Sequence, residues 1–184
     1  TASSDAADQS AGTVDLTGTT LNVNGTGQYA ALRFLNVTIP QAATINAATL
    51  DLEFTTTTHD DPDIEIYAED TDDAATFVAS SNNISGRTPT TAITTWTATA
   101  IGTGVKTTPS IAAIIQEIIN RPGWTSGNNI AIILHGLSAS SFVRIRTLNA
   151  GTGSPAAITI NYPPGGGSSG QPPRTLHPFR IRNS

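Results

Sequence analysis

The most regular feature of the chain is alternation. Leu50, Leu52 and Phe54 alternate with Asp51 and Glu53, and Ile64, Ile66 and Ala68 alternate with Asp63, Glu65 and Tyr67. Successive side chains of a strand point to opposite faces, so a period of two predicts strands at 48–54 and 64–68, with one face buried and one wet. Leu21 and Val23 show the same period ahead of a Gly25-Thr26-Gly27 turn. The run from Tyr29 to Ile39 reads as one strand carrying Leu35, Val37 and Ile39 on a face, stopped by Pro40. Further strands are predicted at 92–97, 130–135, 141–147 and 157–162. Eight or so short strands between Gly, Pro, Asn and Asp turns predict a mostly β chain, a jelly-roll-like antiparallel β-sandwich.

One segment breaks that period. From Pro109 to Gly123 the isoleucines at 111, 114, 115, 118 and 119 fall on the stripe of an amphipathic helix. The spacing predicts a single short helix over about 109–120, capped by Thr108 or Ser110, ended by Pro122-Gly123, and lying across one end or face of the sandwich.

After Tyr162 the character changes. Residues 163–173, rich in Pro, Gly and Ser, are a linker by composition, and residues 174–184 carry Leu176, Phe179 and Ile181 among Arg174, Arg180 and Arg182. The organisation expected is therefore an N-terminal extension at 1–19, a sandwich domain at 20–162, a linker and a basic extended tail.

Charge sharpens this division. All 14 carboxylates lie at or before Glu117, and ten of them fall between Asp51 and Asp73. Residues 1–163 hold six basic groups against those 14, whereas 164–184 hold three arginines and no acid. A net charge of -5 and a pI near 4.9 argue against nucleic acid, whose binding needs a basic footprint. No apolar run approaches the ~20 residues of a membrane-spanning helix, so no membrane insertion is expected. The absence of cysteine excludes disulfide scaffolds, thiol catalysis and iron–sulfur clusters. Thirty threonines, a single lysine and no methionine, with a start at Thr1, suit a secreted surface protein whose export signal has been removed.

Several fragments are similar to a known family. The run Ala31 to Leu50, then Ala68-Glu-Asp-Thr-Asp-Asp-Ala-Ala-Thr-Phe77, Asn83-Ile-Ser-Gly-Arg-Thr88, and Ile111 through Asn120-Arg-Pro-Gly-Trp124, resembles bacterial extracellular β-sandwich modules of the DNRLRE type, which look like carbohydrate-binding modules. The resemblance covers roughly residues 20–162. It implies a jelly-roll-like fold, an extracellular setting and a non-catalytic role, without fixing a ligand. The glycine linker and basic tail are outside that pattern.

Candidate chemistry is sparse. The acidic stretches His59-Asp-Asp-Pro-Asp63 and Glu69-Asp-Thr-Asp-Asp73 could supply oxygen ligands to a structural calcium, with Asp70, Asp72 and Asp73 as the best candidates, although no D-x-D-x-D-G loop is present. The alternative is a solvated polar edge. Trp96 and Trp124 could stack on sugar rings, and buried packing is the commoner use of the residue. No nucleophile elbow exists and the histidines at 59, 135 and 177 have no metal spacing, so no enzyme activity and no cofactor are expected.

The tail carries the sharpest expectation. Residues 164–184, linker and tail together, number 21 and reach up to ~70 Å extended, whereas a body of this length has a radius of gyration of about 15 Å. Leu176, Phe179 and Ile181 would anchor the segment on a sheet edge or groove of a neighbouring copy, and Arg174, Arg180 and Arg182 would meet the acidic stretch from Asp51 to Asp73. Pro178 lacks an N–H, so groove docking is a variant of strand addition. Such contacts are head-to-tail and propagate into filaments. The N-terminal residues 1–14 could take the donor role instead. The expected function is a subunit of an extracellular fibre whose partner is itself. The alternative is a non-catalytic glycan-binding module of a larger surface protein.

Overall fold

The structure, a computed structural model, describes residues 5–23, 25–55, 62–97, 102–139, 143–151, 153–154 and 156–163. Alternation does what the sequence predicts in β5 (Ala47–Phe54) and β6 (Asp63–Ala68): Leu50, Leu52, Phe54, Ile64 and Ile66 are fully buried, and the intervening acids face outward. Two antiparallel sheets result, facing one another as a β-sandwich. The six-stranded sheet has the order β2 (Thr13–Asp15), β1 (Ala6–Ser10), β4 (Tyr29–Phe34), β9 (Ile130–Gly136), β6 and β7 (Thr94–Thr97). The second sheet contains β3 (Thr20–Val23), β10 (Val143–Arg146), β5, β8 (Gly104–Thr107) and β11 (Ala157–Asn161).

Register settles how the second sheet is laid out. Asp51 is flanked by Thr107 and by Ala157, and Phe54 by Gly104 and by Ile145. Thus β8 runs along one side of β5, while β10 and β11 follow one another along its other side. The main core fills the space between the sheets with Leu21, Phe34, Leu50, Leu52, Phe54, Ile64, Ile66 and their neighbours. Each such side chain contributes about 1.5–3 kcal/mol by leaving water.

The helix α1 (Ala112–Ile119) is shorter than the predicted 109–120, but its stripe is as expected: Ile111, Ile114, Ile115, Ile118 and Ile119 are all buried. Ser110 Oγ accepts the Ala112 N–H at 3.3 Å. Thr108 is not a cap; its buried hydroxyl accepts the Leu50 N–H at 3.0 Å and continues the β5 pairing beyond β8. Glu117 on α1 accepts the N–H groups of Thr91 and Ala92, both at 2.7 Å, and so positions the entry to β7.

Three expectations differ from the structure. Residues 6–15 are no extension: β1 pairs with β4 inside the six-stranded sheet, and β2 folds back on β1 through the Ala11-Gly12 turn, both residues at positive φ. A two-residue hairpin needs that conformation to match strand twist. The strand predicted at 29–39 ends at Phe34, because Asn36 adopts φ +52° and turns the chain, leaving Leu35 and Val37 only partly covered. Nor is one face of every strand wet. The outer face of the six-stranded sheet carries a second apolar cluster, in which Ala7, Ala31, Tyr67, Ala131 and Ile133 are covered by Ala74, Phe77 and Ile84 from the connection between β6 and β7. This explains the unbroken run Ile130–Leu134: β9 is buried on both faces.

Candidate functional site

Asp70, Asp72 and Asp73 lie just beyond β6, and a cation already meets two of them. Arg121, just past α1, donates from Nε to Asp72 at 2.7 Å and from Nη1 to Asp70. The two carboxylates raise the guanidinium pKa above its ordinary value. Asp73 turns away to accept the N–H and Nδ2 of Asn129, at 2.9 and 2.7 Å. Gly123 packs against Asp72 so closely that a Cβ would run into the carboxylate. Among the described residues no group of three or more His, Cys, Asp or Glu converges as a metal site would. Asp70, Asp72 and Asp73, the residues expected as calcium ligands, fasten the 69–74 segment to the connection between α1 and β9. Asp60 and Asp61 lie outside the described residues.

The two tryptophans are core side chains rather than a sugar platform. Trp96 is 7% exposed and packs against Phe54 with ring centroids 5.6 Å apart. Trp124 is 3% exposed, and its Nε1 donates to the Ile39 carbonyl at 2.9 Å, which anchors the chain after β4. Neither ring has a face open to a ligand. The partly exposed aromatic pair that sequence reasoning missed is Tyr29 with His135, on adjacent strands β4 and β9, stacked 4.5 Å apart. Only register could have brought it out, since the two residues are 106 positions apart in the chain.

The acidic stretch is divided in the same way. Glu53 accepts from the Ser154 N–H and from Arg146 Nε at 2.9 Å, and the Ser154 bond above all lowers its pKa. Glu69 pairs with Arg87, whose guanidinium lies 4.5 Å over the Phe77 ring. Four of the carboxylates expected to receive tail arginines, Glu53, Glu69, Asp70 and Asp72, are therefore paired with arginines of the body. Asp51 accepts the Thr107 hydroxyl at 2.6 Å, Asp63 accepts the Thr97 hydroxyl at 3.4 Å, and Glu65 is 3.8 Å from His135 Nδ1. All three stand on β5 or β6, one strand in from β8 or β7.

These strands lead to the sides of the sheets that no other described strand pairs with, which are the surfaces where another extended chain could pair. They are not equally open. At β2 the strand is three residues long and runs into a turn closed by Asp15, whose carboxylate accepts the Thr17 N–H and hydroxyl, both at 2.7 Å. Along β3 the Asn22 N–H is occupied by the Asp8 carboxylate at 3.1 Å. The β8 side carries the only lysine of the chain, Lys106, and the outer side of β11 has a single carboxylate, Asp51, one strand in. The β7 side, Thr94-Thr95-Trp96-Thr97, has no charge, no proline and no side-chain carboxylate on its strand. Ile93, immediately before it, is 50% exposed.

Arg174, Leu176, Phe179, Arg180, Ile181 and Arg182 lie outside the described residues. No described helix is long and apolar enough to cross a membrane. No family model matches the chain, and no curated protein matches it.

Proposed function

We propose that this chain is a structural subunit of an extracellular bacterial fibre, polymerising head-to-tail by docking its C-terminal segment on the next subunit. The observation that supports this most is the use of the two chain ends. Residues 6–10 form an inner strand of their own sheet, so the N-terminal segment is already committed as β1. Among the described residues, the last strand of the sandwich is β11, which ends at Asn161, and Tyr162 packs against the core just beyond it. The amphipathic basic segment 174–182 is left as the donor, at the end of a linker long enough to reach a neighbour. The threonine-rich, cysteine-free composition and the resemblance to extracellular β-sandwich modules support the setting.

Negative-stain microscopy of the full chain beside a chain ending at Tyr162 tests this reading. Filaments are expected only from the full chain, weakened by moderate salt to the extent that arginine–carboxylate pairs contribute. Dispersed particles in both samples would overturn it and favour the glycan-binding alternative, for which the half-buried Tyr29–His135 pair is an aromatic candidate.

A further inference from the structure

We propose that Asn36 is a glycan attachment site, taking an oligosaccharide from a polyprenyl-diphosphate carrier through its carboxamide nitrogen. This goes beyond the fibre reading and does not depend on it. The pattern Asn-x-Ser/Thr marks an asparagine that an oligosaccharyltransferase can modify where the asparagine and the hydroxyl two residues on are both accessible. The chain carries it at Asn24-Gly-Thr26, Asn36-Val-Thr38 and Asn83-Ile-Ser85. In a threonine-rich chain such triplets arise by chance, so the surroundings of each decide what it can do. Asn24 lies outside the described residues.

The other two triplets differ at the groups that the transfer needs. Asn83 is half-buried, and its Oδ1 accepts the Val78 N–H at 3.0 Å and Arg87 Nη2 at 3.4 Å. Ser85 Oγ accepts Gln9 Nε2 at 2.6 Å, and Ile84 between them is fully buried in the outer apolar cluster. That triplet is part of the packed cover of the six-stranded sheet. Asn36 and Thr38, by contrast, are both exposed. The bonds of this stretch are main-chain ones: the Asn36 N–H donates to Asn129 Oδ1 at 3.2 Å, the Val37 N–H to the Asn128 carbonyl at 2.9 Å, and the Thr38 carbonyl accepts the Tyr162 hydroxyl at 3.0 Å. Among the described residues neither the Asn36 carboxamide nor the Thr38 hydroxyl has a hydrogen-bond partner. The backbone is thus held while both side-chain groups are left to solvent. With φ +52°, Asn36 stands in the turn beyond Phe34, at the end of an inner strand, so a glycan rooted there starts away from the outer strands of its sheet.

In the transfer, the Asn36 carboxamide nitrogen forms a C–N bond to C1 of the first sugar as the C1–O bond to the diphosphate breaks. Polyprenyl diphosphate leaves with the bonding electrons, and the amide proton passes to a base of the transferase. The test uses the purified, folded full chain with a transferase that reads Asn-x-Ser/Thr alone and its lipid-linked oligosaccharide, the modified sites being mapped by peptide mass spectrometry. Synthetic peptides 31–41 and 78–88 report each triplet free of the fold. Asn36 should be modified in the folded chain about as readily as in its peptide. Asn83 should fall at least about ten-fold below its peptide, since reaching it requires local opening of the cover. Thr38→Ala should abolish the glycan at Asn36 with the thermal midpoint unchanged, and Thr38→Ser should keep it. A 31–41 peptide that is not a substrate, or a folded chain in which Asn36 falls as far below its peptide as Asn83 does, would overturn the proposal. So would a glycan at Asn36 that survives Thr38→Ala.

Discussion

Asp8 on β1 accepts two hydrogen bonds from Asn22 on β3, one from the main-chain N–H at 3.1 Å and one from Nδ2 at 2.8 Å, and so ties the two sheets together at one edge. Partial burial raises the Asp8 carboxyl pKa above its ordinary value, more than the Asn22 bonds lower it. The folded chain therefore holds this proton more tightly than the unfolded one, and stability contributed here falls as pH rises from about 3.8 through the raised value. Asp8→Asn should remove that fall, gaining on the wild type in urea unfolding between pH 3.5 and pH 6. Asp8→Ala leaves the Asn22 N–H without its acceptor and should cost about 1 kcal/mol. An Asn variant whose stability tracks the wild type across this range would refute the assignment.

Gln9 is buried, and its Oε1 accepts the N–H groups of Ile84 and Ser85 at 2.9 and 3.1 Å while Nε2 donates to Ser85 Oγ at 2.6 Å. One side chain on β1 thereby pins the connection that covers the outer apolar cluster. Gln9→Ala orphans the buried Ile84 N–H and the half-buried Ser85 N–H and should cost about 2–3 kcal/mol. Hydrogen exchange should localise the loss: the amides of Ile84 and Ser85 should lose protection before those of β9. Uniform loss across the domain would mean that the connection has no independent stability.

What the sequence disclosed follows from where apolar residues carry the pattern. β5, β6 and α1 bury large aliphatic side chains at a clean period, and the structure has them where the period puts them. β1 turns alanines and a glutamine inward, and β8 has Val105 52% exposed with Lys106 beside it, so neither carries an apolar alternation to detect. The acids at 70, 72 and 73 read as possible ligands because no local pattern reveals that Arg121, some 50 residues later, comes back to meet them. Burial of Trp96 and Trp124 depends likewise on Phe54 and Ile39, which only the tertiary fold brings near.

Arg121 bears on calcium. With its guanidinium between Asp70 and Asp72, and Asp73 committed to Asn129, neither millimolar calcium nor EDTA should move the thermal midpoint of the wild type. Because the pair is partly exposed, Arg121→Ala should cost only about 0.5–1 kcal/mol. A rise of several degrees with calcium in the wild type would show that the aspartates leave the arginine for a metal.

The tryptophans separate packing from recognition. Trp124→Phe removes the donor to Ile39 while keeping an aromatic ring, and should cost about 1–2 kcal/mol. Trp96→Ala empties a core site against Phe54 and should cost about 3–5 kcal/mol. Neither should alter retention on a polysaccharide column at a temperature where the variant is folded. Loss of retention by folded Trp124→Phe would mean that the ring reaches a ligand.

Tyr67 on β6 is buried beneath the outer apolar cluster, and burial pushes its phenol well above the ordinary value near 10, with Tyr29 and Glu65 acting in the same direction. The unfolded chain gives up this proton near pH 10, while the folded chain keeps it. Above pH 10 the unfolded state binds fewer protons, and stability falls with rising pH by up to about 1.4 kcal/mol per unit. Tyr67→Phe cannot lose a proton, so its unfolding free energy should hold where that of the wild type declines. The two should differ little at pH 7 and diverge between pH 10 and 11 in urea titrations. Parallel decline of both would mean that the Tyr67 hydroxyl meets solvent in the folded state, and that the covering segment around Phe77 and Ile84 opens at alkaline pH before the sheets separate.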